Sequence, residues 1–290
     1  MPSLIDIRRR IRSVKNTQQI TKAMKMVSAA KLRRAQDRVI SSRPYATLLR
    51  KVLGNVAAAV ADDENAGQNP LLARRPENRV LLVLITADKG LAGAFNTNLI
   101  KGAQRFFAER GTPAGTAKVT LELIGRKGRD FFRKRGAAVS GEHLGLAAKP
   151  VYLDMAAIAR KAMEMFRNDE IDAVYVLYNQ FKSVATQQLT VSRVLPAELP
   201  EQTAPVDYIF EEPPAVMLDD LLPRYVEMEL YRALLESSAS EHAARMTAMD
   251  SATSNASEMI DKLTLYMNRV RQSSITKEII EVVSGAAAAE

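Results

Sequence analysis

Few residues of this chain come in the types and spacings that do bond chemistry. The best candidate is TADKGLAGAFN, Thr86–Asn96, which follows an apolar run and opens a helical pattern. Backbone N–H groups at a helix start can hold an anion. Gly90 and Gly93 stand there without a G-x-x-x-x-G-K-[ST] or G-x-G-x-x-G frame, so the stretch reads as a tight turn. The absence of cysteine removes disulfides, thiolate catalysis and cysteine-held zinc or iron–sulfur clusters. His143, between Gly141 and Gly145, reads as a loop residue, and His242 as a solvated residue on the polar side of a helix. Asp62–Asp63–Glu64 and Asp219–Asp220 read as solvated loop acids. No H-E-x-x-H or G-x-S-x-G motif occurs. The expectation is a chain with no catalysis, cofactor or metal site of its own.

Its marked chemistry is charge. Residues 1–51 carry 14 Lys/Arg against Asp6 and Asp37, and the remainder of the chain is net acidic. The stretch ITKAMKMVSAAKLRRAQ, residues 20–36, holds five cations and no anion. Nucleic acid is the usual partner of such a segment. Here Tyr45 is the one aromatic in residues 1–51, so base stacking has no support and no nucleic acid is expected. No apolar run reaches the ~18 residues of a membrane span. MPSLIDIRRR lacks the apolar core of a signal peptide. An Arg-rich, acid-poor start also fits a transit peptide, but the apolar spacing runs on without a cleavage-like break.

The elements that position these charges are two very long helices. No Pro or Gly interrupts the 41 residues between Pro2 and Pro44 or the 61 between Pro223 and Gly285. At ~1.5 Å per residue these are helices of roughly 60 and 90 Å, coiled coil or stalk rather than globule. The first has a stripe at Leu4, Ile7, Ile11, Val14, then Ile20, Met24 and Val27, with a phase shift after Thr17 and Gln18. The second has Met246, Met249, Ala256, Met259, Leu263, Met267 and Val270. Spacings of three and four make a helical seam, and Ala and Ser let two backbones approach. Antiparallel pairing of first on last leaves the end of the longer helix overhanging, with Ile275, Ile279, Ile280, Val282 and Val283 asking for a surrounding partner.

Between them the chain reads as α/β. RVLLVLI, KVTLELI, IDAVYVLYNQ and ATQQLTVSRVLPAEL are strands, and residues 96–110, RKGRDFFRKRG and 153–168 are helices. Alternation favours a mostly parallel sheet covered by helices. Residues 196–223, rich in proline, read as an irregular return.

NTQQITKAMKMVSAAKLRRAQDR near the start, and SEHAARMTAMDSATSNASEMI with LYMNRVRQSSITKEIIEVVSGA near the end, resemble the gamma-subunit family of F-type rotary ATP synthases. RPYA, TADKGLAGAFN and LLPRYVEMELYRALLE match in the same order, so the resemblance covers about residues 4–286 and looks bacterial. It implies an α/β fold with a long antiparallel two-helix coiled coil from the N- and C-terminal helices plus a central Rossmann-like α/β domain. The implied divisions are 1–60, 78–200 and 215–286. The implied role is the central-stalk rotor shaft, turned by proton flow inside a hexamer of alpha and beta subunits. Its foot meets the epsilon subunit and the c-subunit ring. Membrane association is then through partners only, at the cytoplasmic face of the bacterial inner membrane. By the same resemblance Met24, Lys25, Arg245, Gln272, Thr276 and Glu278 are beta-subunit contacts, Lys25 standing where the family often has an acid. Ile275, Ile279, Ile280, Val282 and Val283 are the apolar bearing tip. The rival is a free-standing stalked scaffold with a nucleotide-sensing head, which needs no alpha or beta partner.

Overall fold

The computed structural model describes residues 3–60, 69–110, 118–199 and 212–287. In chain order they form α1 (Leu4–Val60), a short 3-10 turn (Pro70–Leu72), β1 (Arg79–Ile85), α2 (Phe95–Arg110), β2 (Lys118–Ile124) and α3 (Arg126–Arg133). There follow β3 (Val139–His143), α4 (Tyr152–Arg167), β4 (Ala173–Phe181), β5 (Gln187–Leu195) and α5 (Pro214–Ala287). The contacts divide them into two compact units. One lies within Met1–Ala29 and Arg245–Glu290, and the other is Ala30–Ala244. The long helices contribute to both.

Both long helices outrun their proline-free stretches, with Pro44 inside α1 and Pro223 inside α5. An interior proline frees the carbonyl four residues back. Pro44 is exposed, so water can take that bond. Pro213 and Pro214 sit where α5 begins, a position proline tolerates. The return segment is therefore shorter than the sequence suggested. Asp219 and Asp220 are exposed residues of α5, not loop acids, and Asp219 accepts from the Asn69 amide. Residues 62–64 lie outside the described residues.

In the Ala30–Ala244 unit the strand order is β3-β2-β1-β4-β5, parallel except for antiparallel β5. Alternate residues of β1 feed opposite faces, as strand geometry demands. Leu81, Val83 and Ile85 pack with α4, with Leu53 and Val56 of α1 and with Leu222, Val226 and Leu230 of α5. Val80, Leu82 and Leu84 pack with Phe95, Leu99 and Phe106 of α2 and with Phe132 of α3. Burial on both faces explains why β1 reads as an unbroken apolar run.

β3 is an addition to the sequence reading. Val-Ser-Gly-Glu-His has no apolar alternation, and it pairs with β2 through a register shift between Leu121 and Glu122. His143 ends this strand instead of lying in a loop. Its Nε2 is 2.7 Å from the carboxylate of Glu122, whose side chain is only 1% exposed. Lys161 Nζ donates to both Glu122 oxygens at 3.0 and 3.3 Å.

Candidate functional site

The residues singled out by sequence as contacts all fall in the unit built from Met1–Ala29 and Arg245–Glu290. It consists of one end of α1 against one end of α5. Lys25 Nζ donates to Asp250 at 2.6 Å, and Thr21 and Thr253 hydroxyls lie 2.8 Å apart. Ser3–Ile5 and Arg8 line one groove with Tyr266, Arg269, Val270 and Ser273. Rising along α1 means falling along α5 by matching steps, so the pairing is antiparallel.

The seam is more regular than the apolar residues suggest. Its inward α1 positions are Leu4, Ile7, Ile11, Val14, Gln18, Thr21, Lys25 and Ser28, alternating steps of three and four without a break. Those of α5 are Met246, Met249, Thr253, Ala256, Ile260, Leu263, Met267, Val270 and Ser274, in the same alternation. A strict seven-residue repeat imposes a left-handed supercoil. The expected phase shift after Gln18 does not occur. Ile20, Val27 and Met259, assigned to the stripe by their apolarity, are outward and more than half exposed. Thr21 and Ser28 stand inward in place of Ile20 and Val27, as small side chains that let the helices close, and Ile260 stands inward in place of Met259. The hydroxyls also satisfy one another: one donates across, while the other turns back on the carbonyl of Gln18 or Met249.

Each expected contact residue has a definite setting. Met24 is half-buried beside the seam. Lys25 is held by Asp250 of the same chain, though both side chains stay over 40% exposed. Arg245 is buried, only 8% exposed. Gln272, Thr276 and Glu278 are exposed, and the Thr276 hydroxyl donates to the Gln272 carbonyl one turn back at 2.9 Å. Ile275, Ile279, Ile280, Val282 and Val283 range from 48% to 71% exposed. The structure thus sets Gln272 and Thr276 on one face, with the apolar tip just beyond, and draws Arg245 inward. Asp250, Thr21 and Thr253 escaped the sequence reading. Continuing the three-four spacing through Gln18 would have found the two threonines.

The α/β unit has the strand ends where open α/β sheets hold ligands, between the central strands at the switch in strand order. There α5 occupies the ground. The Ser240 hydroxyl donates to the Asn179 carbonyl at 2.9 Å and the Ser237 hydroxyl to the Ile85 carbonyl at 3.5 Å. Every residue of Ala233–Ala243 is buried, including His242, which the sequence reading had left in solvent. The Thr86–Asn96 stretch is likewise closed on itself. Thr86 Oγ1 accepts from the Gly128 N–H at 2.9 Å, and Asn96 Oδ1 from the Ala87 N–H at 2.9 Å. Asp88 accepts from the backbone N–H groups of Arg126 and Gly145. Gly93, at φ 55°, makes the turn. Among the described residues no acidic or histidine cluster could hold a metal ion, and no helix is long and apolar enough to cross a membrane.

A family model described as ATP synthase matches residues 3–289. The ATP synthase gamma chain of Solibacter usitatus (strain Ellin6076) is 81% identical over the full length of both chains. The chain belongs to the ATP synthase gamma chain family. The gamma chain of Pelotomaculum thermopropionicum is 50% identical over all of both chains. Among solved structures, a chain of the Tetrahymena thermophila mitochondrial ATP synthase central stalk and c-ring matches with TM-score 0.62 at 25% identity, over 80% of this chain and 99% of that one. A chain of the Euglena gracilis mitochondrial ATP synthase shares the fold, with TM-score 0.67 at 21% identity, over 98% of this chain and 94% of that one. The family is thus matched across both long helices as well as the sheet.

Proposed function

We propose that this chain is the central-stalk rotor shaft of an F-type ATP synthase. It couples proton flow through a membrane ring of c subunits to ATP synthesis or hydrolysis at beta-subunit sites, by turning inside a hexamer of alpha and beta subunits. The observation that carries the reading is the antiparallel heptad seam between the terminal helices, in a chain whose relatives are gamma chains throughout their length.

The shaft needs no chemistry of its own. A rotor acts by presenting a different face to each neighbour in turn, so each beta subunit is driven by differential contact. The closing of the sheet's crevice by Ser237 and Ser240 supports a non-catalytic role. We assign residues 1–60 and 215–286 to the shaft and 78–200 to the α/β domain, with epsilon and the c ring joining the foot of the rotor. The exposed Gln272, Thr276 and Glu278 are suited to meet beta subunits directly. Lys25 with Asp250 would meet them as a pair, and Met24 and Arg245 would act by shaping the helix surface. The five exposed apolar residues from Ile275 to Val283 form the bearing, buried when the ring closes around them. Location is the cytoplasmic face of a bacterial plasma membrane, held there through partners.

Affinity purification of the tagged chain tests this. The expected result is a complex containing alpha, beta and epsilon subunits with ATPase turnover that the isolated chain lacks. Recovery as a lone monomer or homodimer from cells that express those subunits contradicts it.

A further inference from the structure

A patch of charge on the α/β unit is used by nothing described so far. Helix α3 and the two residues after it carry Arg126, Lys127, Arg129, Arg133, Lys134 and Arg135. Gly128 and Phe132 are its buried side. Arg126 and Arg133, and likewise Lys127 and Lys134, are seven residues apart. They form two exposed rows whose members repeat about 10 Å along the helix. Asp130 stands between the rows and is taken by Arg129 at 2.7 Å. The other five cations have no carboxylate within ion-pair distance among the described residues. Elsewhere in the same unit Arg50, Arg79 and Arg160 each have a partner at 2.8 Å. Arg135 stacks on the Phe131 ring at 3.6 Å, which keeps that ring from projecting as an apolar anchor. What remains is a purely electrostatic face.

We propose that this α3 face rides on the anionic lipid headgroups of the membrane beside the c ring. The proposal rests on the rotor reading above. Clusters of four to eight Lys/Arg next to a membrane have the composition that attracts acidic lipids. Rotation selects lipid over a stationary acidic protein, and loss of the co-rotating epsilon subunit from the complex of the α3 variant is the outcome that would assign the face to epsilon instead. A headgroup surface offers anions at every angle, whereas an acidic stator subunit would be met and lost once per turn. Attraction without an inserted side chain also lets the face slide. Such binding fades as salt rises, since exposed charges are screened beyond about 8–10 Å at physiological ionic strength.

The test is flotation of the chain assembled with its alpha, beta and epsilon subunits, with vesicles of phosphatidylcholine plus phosphatidylglycerol, and of phosphatidylcholine alone. One variant is Arg126→Gln/Lys127→Gln/Arg133→Gln/Lys134→Gln. The second removes equal charge from α1, as Arg8→Gln/Arg9→Gln/Arg12→Gln/Lys15→Gln, because that helix is also basic. All eight side chains are exposed, so both variants keep the fold. The α3 variant is expected to lose anionic-vesicle binding more than tenfold. The α1 variant should change it far less in the assembled complex, where the hexamer covers that segment. Undiminished binding of the α3 variant overturns the proposal. So does loss of an acidic protein subunit from the purified complex with vesicle binding unchanged. Either failure leaves co-purification with alpha and beta intact, whereas loss of that co-purification in the wild type would sink the rotor reading itself.

Discussion

The hydroxyls of Thr21 and Thr253 meet at 2.8 Å across the seam of α1 and α5, both inward and one helix turn from the Lys25–Asp250 ion pair. This polar layer favours one vertical register of the two helices, because a slip would part the two hydroxyls.

Removing one partner is therefore expected to cost more than removing both. Thr253→Val leaves Thr21 facing an apolar group and should lower stability by about 1 kcal/mol. Thr21→Val/Thr253→Val should recover most of it, since a matched apolar pair leaves no hydroxyl oxygen without its cross-seam partner. Thermal unfolding of the three proteins measures the difference.

A second prediction concerns acid. Burial pushes the Glu122 carboxyl up, but the hydrogen bonds from His143 and Lys161 outweigh it and hold it below the ordinary glutamate value. A carboxylate depressed in the folded state contributes stability that is present above its unfolded pKa, about 4.3, and lost as pH falls through the folded one. Glu122→Gln is expected to be destabilised by about 1.5 kcal/mol at pH 7, since the charge-assisted hydrogen bonds are lost while Lys161, 42% exposed and bonded also to the Ser140 carbonyl, keeps other partners. The penalty should shrink as pH falls below about 4. Denaturant unfolding at neutral and acid pH checks it.

No single polar contact should drive a beta subunit. Moving a two-state element from 1:99 to 99:1 takes about 5.5 kcal/mol of differential binding. One charged hydrogen bond supplies about 1.5–3. Gln272→Ala or Arg245→Ala alone is expected to impair coupling partially, and the double change more than additively. Proton-driven ATP synthesis in inverted membranes reads this. Complete loss from Gln272→Ala in a normally assembled complex would contradict it.

Ending the chain before Ile275 removes the five exposed apolar residues of the α5 end. The truncated chain should fold, because none of the five is buried within it, yet assemble weakly with alpha and beta. Native gels of the complex give the answer, and unchanged complex stability counts against a bearing.

Much of this was legible because long-period patterns survive without tertiary detail. The proline-free runs announced α1 and α5, and the apolar run Val80–Ile85 announced a strand buried on both faces. The seam was misread where apolarity and position part company. Ile20 and Val27 are apolar yet outward, while Gln18, Thr21 and Ser28 are polar yet inward. Only the spacing, followed strictly, separates the two sets. β3 was invisible because Gly141 replaces the apolar residue a strand would show. A Cβ there would press on the Glu122 carboxylate, which His143 and Lys161 hold in place, so the site favours glycine. The pairing of Lys25 with Asp250 was not legible because the two are 225 residues apart in sequence.

The chain has no cysteine, so one introduced at the exposed Lys149 takes a single label without competition. With the hexamer fixed to glass and a rod attached through that thiol, added ATP should turn the rod steadily in one direction. A rod that stays still while the same complexes hydrolyse ATP would mean that this chain is no rotor.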